Sequence, residues 1–336
     1  MGNDTPLIQL SHGSGGRMMH QLIRDYFVPA FDLESLHDSA VIADLPQGRL
    51  AVTTDSYVIS PYFFPGGDIG MLAVCGTVND LSMAGARPLY LTSGFIIEEG
   101  FPFDHLKIIL DSMKAISREI GVKIITGDTK VVERGKGDGI FINTAGVGII
   151  EREINISPLN VRPGDKVILS GPVGNHGMSV MAHRSGISFE PQLLSDVRPL
   201  NGLVEVMLSK SNKIHVMRDP TRGGLATTLK ELAGASGFGI LVNEDSINVI
   251  PGVTGACALL GLDPLYIANE GILVAFVESN DAEMLVEEMR KTEAGKDTAI
   301  IGEVVETPAN TVLLKTNIGG IRILDMLSGD QLPRIC

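Results

Sequence analysis

The sequence contains no tryptophan and only three cysteines, Cys75, Cys257 and Cys336. No two of these cysteines are closely spaced, so the sequence predicts neither a disulfide framework nor a zinc site built from cysteine pairs. Sparse, unpaired cysteines are typical of proteins in a reducing compartment. We therefore expect a cytoplasmic location.

Long apolar runs and an excess of basic residues are also missing. No stretch approaches the ~20 uninterrupted apolar residues of a membrane span. The amino end, "MGNDTPLIQLSHGSGG", lacks the basic-then-apolar pattern of a secretory signal. Acidic residues outnumber basic ones, 40 to 27, for a net charge of −13. Such a surface repels nucleic acid and free phosphates, so a phosphate site would need backbone N–H groups and metal ions.

What the sequence does contain is a strand-and-helix alternation on both sides of the proline-bearing stretch "ISPLNVRPGD". With 336 residues, 44% of them hydrophobic, the chain is predicted to form two domains. We predict an α/β fold (mixed α+β) in which each domain is a mixed β-sheet flanked by helices. The predicted divisions are a glycine-rich segment (1–38), an N-terminal domain (39–155), a C-terminal domain (156–327) and a flexible tail (328–336).

Periodicity places several elements of the N-terminal half. Strands are predicted at "RLAVTTD", "PLYLTSGFIIE", "VKIITGD" and "IFINTAGVGII". A helix is predicted from about Asp68 to Ala84, and a second over 104–121, where Gly121 is placed to end it. The polar stretch "ERGKGDG" is interpreted as a hairpin loop between the last two strands.

Acidic residues recur beside Thr, Asn or Gly at the predicted ends of these elements. A single Asp in such a place is usually a cap or turn residue. Asp80, however, lies in the middle of an apolar helical stretch, where a carboxylate is costly unless it is paired or bound to a metal. Asp55 follows a strand that we expect to be buried. Carboxylates with few histidines suit Mg²⁺ that holds nucleotide phosphates.

Three further stretches have phosphate-binding potential. "SHGSGGR" could wrap backbone amides around phosphate oxygens, although it matches neither common glycine-loop pattern. "RDPTRGGL" is typical of a tight turn into a helix, whose N-terminus can also meet an anion. Lys130, two residues after Asp128, is either a phosphate partner or an ordinary surface lysine.

Taken together, these motifs resemble the aminoimidazole-ribonucleotide-synthetase-like superfamily of ATP-dependent enzymes. The matching stretches are "HGSGG", "DSAVI", "TTD", "GTVNDLSMAGARPLYL", "TGDTKV", "GNHGMSV", "RDPTRGGL", "NEG" and the terminal "PRIC", from residue 12 to residue 336. "VNDLSMAGARP" and "RDPTRGGL" are specific to the superfamily. The "PRIC" ending is specific to its hydrogenase-maturation carbamoyl dehydratases.

The resemblance implies ATP and Mg²⁺ as cofactors, and a homodimer whose N-terminal domains help to form the nucleotide site. The implied Mg²⁺ and phosphate carboxylates are Asp38, Asp55, Asp80 and Asp219. The implied ATP-site residues are Thr54, Asn79, Asp128, Thr129, Arg222 and Gly223, with a mobile lid that contains His12, Gly13, Gly15 and Gly16. The chain departs from the superfamily pattern at His37, where relatives often have an acid, and at Asn175, where "GNHG" replaces "GDHG".

The resemblance also implies an activity in which ATP drives the dehydration of a carbamoyl group on Cys336. The product is a thiocyanate, the cyanide donor for the iron of nickel–iron hydrogenases. The implied catalytic residues are Cys336, Glu270, His176 and Lys130. A glutamate before a glycine is otherwise a common turn residue, and a lone histidine is often structural. The implied partners are the carbamoyltransferase HypF and the HypC–HypD complex.

Three alternatives stay open at the level of sequence. A selenophosphate-synthetase-like activity would need a cysteine or selenocysteine with a lysine in the amino-terminal glycine-rich segment, which here has neither. A small-molecule kinase would share the carboxylates but has no use for a terminal thiol. A non-catalytic scaffold regulated by ATP would use the tail only to dock a partner.

Overall fold

A computed structural model of the chain describes residues 6–33 and 36–327. Two mixed β-sheets, each with helices packed against it, form most of this described part. The predicted α/β class with two domains is confirmed. The predicted tail, including Cys336, lies outside the described residues.

The N-terminal sheet has four strands in the order β1–β6–β4–β5. Strands β1 and β4 each run antiparallel to β6, and β5 runs parallel to β4. A separate short hairpin, β2–β3, precedes the first long helix. In chain order the strands of this half are β1 (Arg49–Tyr57), β2 (Phe63–Phe64), β3 (Gly67–Asp68), β4 (Arg87–Glu98), β5 (Lys123–Val132) and β6 (Ile140–Ile150).

Two predictions about this sheet are wrong. The stretch "ERGKGDG" does not close a hairpin, because β4 lies between β5 and β6. The strand that contains Asp55 continues to Tyr57 and forms an edge of the sheet, and Val52 within it is 71% exposed. It is therefore not the buried strand that its apolar residues predict. Local sequence does not reveal which strands become neighbours.

The helix predictions in this half are confirmed. The helices are α1 (Arg17–Leu22), α2 (Val28–Phe31), α3 (Ile69–Met83) and α4 (Phe103–Ile120), with a π-helical turn at Ile23–Phe27. Helix α3 begins at Asp68, whose carboxylate accepts the amides of Gly70 (2.7 Å) and Met71 (3.0 Å). Helix α4 ends at Gly121 with a φ of 78°, a conformation that favours glycine.

The C-terminal sheet has seven strands in the order β13–β12–β9–β11–β7–β10–β8, and only the β9–β12 pair is parallel. Its strands are β7 (Lys166–Leu169), β8 (Ile214–Arg218), β9 (Gly239–Asn243), β10 (Val274–Val277), β11 (Ala299–Val305), β12 (Val312–Lys315) and β13 (Ile321–Leu324). Its helices are α5 (Asn175–Arg184), α6 (Asn201–Lys210), α7 (Gly224–Ser236), α8 (Pro251–Leu260) and α9 (Ser279–Met289). Separate apolar clusters cover the two faces of the sheet.

Helix α3 joins the two domains. It packs against strands β1, β4 and β6 on one side and contacts α6 and β8 of the C-terminal domain on the other. This position explains why most of its residues are buried. Cys75 in α3 and Cys257 in α8 are buried, as expected for inert thiols. Among the described residues, no helix is both long and apolar enough to cross a membrane.

Candidate active site

A polar cleft of about 320 Å³ lies where α3 and the end of β8 approach β1. Asp80 of α3 and Asp219, the residue after β8, line this cleft from opposite domains. Thr53 of β1 completes its polar wall. The fold therefore brings together two carboxylates that are distant in sequence.

Asp80 is held in place by the Thr53 hydroxyl, which donates a hydrogen bond of 2.9 Å to its carboxylate. Burial raises the pKa of the Asp80 carboxyl, the Thr53 hydrogen bond opposes the rise, and repulsion from Asp55 adds to it. The predicted position of Asp80 within an apolar helix is confirmed.

Asp219 follows β8 and precedes Pro220. Burial, together with repulsion from Asp80 and Asp55, raises the pKa of its carboxyl to about 7. Arg218 beside it opposes this rise. The pattern of mutual repulsion shows that three of the predicted metal carboxylates, those of Asp55, Asp80 and Asp219, share one electrostatic environment.

Glu270 is only 4% exposed and interacts electrostatically with the same carboxylates. Burial and repulsion from Asp219, followed by repulsion from Asp196, raise the pKa of its carboxyl well above the ordinary value. Asp55 and Asp80 add to the effect. A carboxyl with a raised pKa has a higher affinity for a proton than an exposed glutamate, which is a property required of a general base.

The carboxylates fit a divalent cation in donor chemistry and in charge. Oxygen donors suit Mg²⁺, and a bound cation would relieve the repulsion that raises the pKa values of Asp80, Asp219 and Glu270. Within residues 6–33 and 36–327, however, no three acidic, histidine or cysteine side chains are close enough to form a complete metal site. Phosphate oxygens or water would have to supply the remaining ligands.

Arg222 and Gly223 lie at the rim of the cleft, in the turn that leads into α7. The Arg222 guanidinium is 3.7 Å from the Asp55 carboxylate, and its side chain is 74% exposed. Gly223 has a φ of 72°, which favours glycine. The predicted turn into a helix is confirmed.

A second group of predicted residues lies on the open face of the N-terminal sheet. Thr54, Asp128 and Lys130 are exposed, and the strand registers place them on the face that does not contact α3. Lys130 Nζ lies 2.7 Å from the Asp128 carboxylate, and this hydrogen bond lowers the pKa of Asp128. Thr129, between them, is buried.

The glycine-rich segment packs beside β5. His12 is buried edge-on to Phe103, and its Nδ1 accepts the amide of Gln9 at 2.9 Å. A Cβ at Gly13 would lie 2.5 Å from the backbone nitrogen of Val131, so only glycine fits this approach without a shift. Gly15 and Gly16 are exposed at the start of α1. The lid role of this segment stays a prediction.

Other predicted residues lie apart from the cleft. Asn79 is buried, and its carboxamide bridges the backbone of Arg198 and Leu200 at 3.1 and 2.8 Å. His176 is buried with its Nδ1 2.8 Å from Ser195 Oγ. Asp38 is exposed before β1. The structure thus gives Asn79 a bridging function between the domains.

Two residues that the sequence analysis does not select contribute to the site. Thr53 fixes Asp80, and Asp196 accepts the amides of Glu270 and Gly271. Thr53 neighbours the "TTD" motif and could have been included on that ground. Asp196 lies in an irregular stretch between α5 and α6 with no motif around it, so no local signal identifies it.

Comparison with known proteins identifies the class first. "AIR synthase related protein, N-terminal domain" matches residues 36–150, and "AIR synthase related protein, C-terminal domain" matches residues 162–315. These matches cover most of the chain and correspond to the two sheets. The chain is therefore an AIR synthase related protein in both of its domains.

Similarity to individual proteins narrows the assignment. The chain is 51% identical to "Carbamoyl dehydratase HypE" of Cupriavidus necator over 98% of this chain and 95% of that protein. It is also similar to the crystal structure of hydrogenase maturation protein HypE in complex with ATP (TM-score 0.94, 48% identity, 98% and 99% of the two chains). A HypE–HypF complex structure matches with a TM-score of 0.81 at 48% identity, covering 91% and 99%. The chain belongs to the HypE family of hydrogenase maturation proteins.

Proposed function

We propose that this protein is an ATP-dependent carbamoyl dehydratase whose substrate is a carbamoyl group on its own Cys336. The product would be a thiocyanate on the same sulfur, for delivery of cyanide to the iron of a nickel–iron hydrogenase. The family relationship supports the reaction class, and the terminal cysteine of the sequence supports the carrier. The structural observation that carries the proposal is a buried carboxyl, Glu270, which interacts electrostatically with the carboxylates of a cleft that suits Mg²⁺ and phosphate.

The chemistry requires ATP because the thiocarbamate oxygen is a poor leaving group. Transfer of the γ-phosphoryl group to that oxygen, with loss of one N–H proton, gives an imidate phosphate. Loss of the second N–H proton and departure of phosphate then form the C≡N bond. The sum is thiocarbamate plus ATP giving thiocyanate, ADP and phosphate, with both protons passed to a base or to solvent.

This chain's residues can be assigned to these steps. Glu270 is assigned as the group that accepts the N–H protons, because burial and neighbouring carboxylates raise its pKa and therefore its affinity for a proton. Mg²⁺ would be held by the carboxylates of Asp55, Asp80 and Asp219 only together with phosphate oxygens or water, because no three such side chains among the described residues form a metal site by themselves. When bound, it would supply charge neutralisation for the phosphates. Lys130 would reach a phosphate from the open face of the sheet. His176 is the weaker base candidate, since its Nδ1 is engaged with Ser195.

The open sheet face supports a homodimer. Val52 and Ile96 on this face are 71% and 45% exposed, whereas the opposite face packs on α3 and α4. Thr54, Asp128 and Lys130 share this face with them. A second copy seated here would cover the apolar side chains and could complete a nucleotide site that each copy holds only in part.

HypF and the HypC–HypD complex are proposed as partners. The HypE–HypF complex structure, at 48% identity to this chain, supports the first of them. HypF would load the carbamoyl group, and HypC–HypD would accept the cyanide.

The test is the mass of the carboxy-terminal peptide after the S-carbamoylated protein is incubated with Mg-ATP. The proposal expects loss of one water from that peptide, with ADP formed and no reaction without Mg²⁺. The variant Cys336→Ala should form no nitrile while ATP binding persists. An unchanged peptide mass would favour the scaffold, and ATP-dependent phosphorylation of selenide or of thiamine phosphate instead would favour the other two alternatives.

A further inference from the structure

The stretch 193–200, which links α5 to α6, crosses the junction between the domains, and we refer to it as the strap. Its Ser195 amide donates to the Pro65 carbonyl at 2.8 Å, and its Leu200 amide donates to the Asn79 carboxamide, also at 2.8 Å. Pro65 and Asn79 belong to the N-terminal domain. The strap is therefore attached to that domain at two points.

Between these attachments the strap holds the backbone around Glu270. The Asp196 carboxylate accepts the amide of Glu270 at 3.2 Å and the amide of Gly271 at 3.0 Å. The Glu270 carbonyl in turn accepts the amide of Arg198 at 3.4 Å and the Asn79 side-chain amide at 3.4 Å. Both polar groups of the Glu270 backbone are thus bonded to the strap or to α3.

The contact is too close for a side chain at the next position. A Cβ at Gly271 would lie 1.7 Å from the carbonyl oxygen of Asp196, a separation that no structure tolerates. Glycine at this position therefore allows the strap to touch the Glu270 backbone directly. Any displacement of the strap must displace Glu270 with it.

We infer that Asp196 is a positioning residue for Glu270: its buried carboxylate, through the amides of Glu270 and Gly271, fixes the catalytic carboxyl against the cleft between the domains. This inference rests on the proposed role of Glu270 as the base. Precise placement matters because misplacement of a reacting group by about 1 Å can reduce a rate by about 100-fold. Because α3 and the strap also hold the Glu270 carbonyl, the position of the base depends on how the two domains are docked.

A carboxylate suits this task better than a carboxamide. Hydrogen bonds to an ionised acceptor are stronger than neutral ones. The amides of Glu270 and Gly271 both reach Asp196 Oδ2, and Oδ1 also lies 3.3 Å from the Glu270 amide. A carboxamide would replace the ionised acceptor with a neutral oxygen and would turn an NH₂ group towards one of these donors. Asp196 also lines a second cleft of about 170 Å³, with Arg198 and Lys296 among the residues around it. These cations offset part of the charge that burial would otherwise penalise.

The experiment compares Asp196→Asn with Asp297→Asn, an exposed acid in the wall of the same second cleft. Single-turnover dehydration of the S-carbamoylated full-length protein is measured at saturating Mg-ATP, and ATP affinity is measured separately. We expect Asp196→Asn to slow dehydration by about 10- to 100-fold while the Kd for ATP changes by less than about twofold. Asp297→Asn should match the wild type in both measurements.

A second variant guards against misfolding. Asp196→Glu keeps the charge but moves the acceptor by one methylene, and the second cleft leaves room for the longer side chain. We expect the rates to fall in the order wild type, Asp196→Glu, Asp196→Asn. The inference is wrong if either variant folds and dehydrates at the wild-type rate. It is also wrong if ATP affinity falls in parallel with the rate.

The variant Glu270→Gln separates this inference from the proposed function. If Glu270→Gln dehydrates at the wild-type rate, Glu270 is not the base and both ideas are wrong. If Glu270→Gln is inactive while Asp196→Asn is fully active, only the role of Asp196 is wrong.

Discussion

At the scale of single residues, the candidate site contains acidic side chains whose surroundings disfavour the ionised form. Glu270 and Asp219 both have raised pKa values because burial and neighbouring carboxylates penalise ionisation. A purely structural position would seldom accumulate such a penalty. Burial of these acids lowers the free energy of unfolding, as is usual where side chains are held in position for a reaction.

Glu270→Gln should stabilise the cation-free protein at neutral pH and not at acid pH. The folded-state pKa of Glu270 lies above the unfolded value of about 4.3. The group is therefore neutral and without penalty below about pH 4, and it lowers the free energy of unfolding as the pH rises towards its folded-state pKa. We expect the free energy of unfolding of the variant to exceed that of the wild type at pH 8, measured by urea denaturation.

The matched control is Glu306→Gln, which removes the same charge from an exposed position. Its free energy of unfolding should follow that of the wild type at both pH values. If Glu270→Gln showed no gain at pH 8, Glu270 would be ionised in the folded protein without penalty, and its assignment as a base of raised pKa would be wrong.

At the scale of elements, helix α3 is the part that sequence predicts best and the part that the fold constrains most. Its cap at Asp68 and its apolar composition are local signals. Its close contacts are not local, since a Cβ at Gly76 would lie 2.3 Å from Tyr57 Oη, and Tyr57 is only 1% exposed. The helix can thus approach β1 only because residue 76 has no side chain.

Gly76→Ala should destabilise the protein, although alanine favours helices. Overpacking of a buried site costs about 1–3 kcal/mol, while the gain in helix propensity is about 1 kcal/mol. The same change in α7, Gly234→Ala, meets no atom within 4 Å and should stabilise by about 0.5–1 kcal/mol. Thermal denaturation of the two variants measures the difference, and equal effects would show that the α3–β1 contact is looser than the structure indicates.

At the scale of the whole molecule, the predicted nucleotide residues divide into two groups. Asp80 and Asp219 line the cleft between the domains, whereas Asp128 and Lys130 lie on the open face of the N-terminal sheet. A single copy therefore presents two separate surfaces for one ligand. This division is the strongest argument for assembly of the site in a homodimer.

Leu50→Glu should convert the protein to a monomer in sedimentation velocity and weaken ATP binding by about tenfold or more. Leu50 is 56% exposed on the open face of the sheet and does not line the cleft. A buried charge on both sides of a two-fold interface has no partner and strongly disfavours association. The control is Ile318→Glu, which places the same charge on a residue that is 91% exposed in the C-terminal domain. A Leu50→Glu variant that remained a dimer with wild-type ATP affinity would contradict assembly through the sheet face.

Features that depend only on neighbouring residues could be predicted from the sequence. The cap at Asp68, the end of α4 at Gly121 and the turn at Gly223 follow from backbone preferences of a few consecutive residues. The cost of a carboxylate within an apolar helix likewise identified Asp80. The motifs and the terminal Cys336 pointed to the family without any knowledge of contacts.

Contacts between segments that are distant in sequence could be seen only in the folded chain. The fold places β4 between β5 and β6 and makes the strand of Asp55 an edge strand. It also places the Asn79 carboxamide where it hydrogen-bonds to the backbone of the other domain. It also placed Asp196 against Glu270, 74 residues further along the chain. These outcomes depend on strand pairing and on domain docking, whose energies come from contacts between residues far apart in sequence, and no local pattern records them.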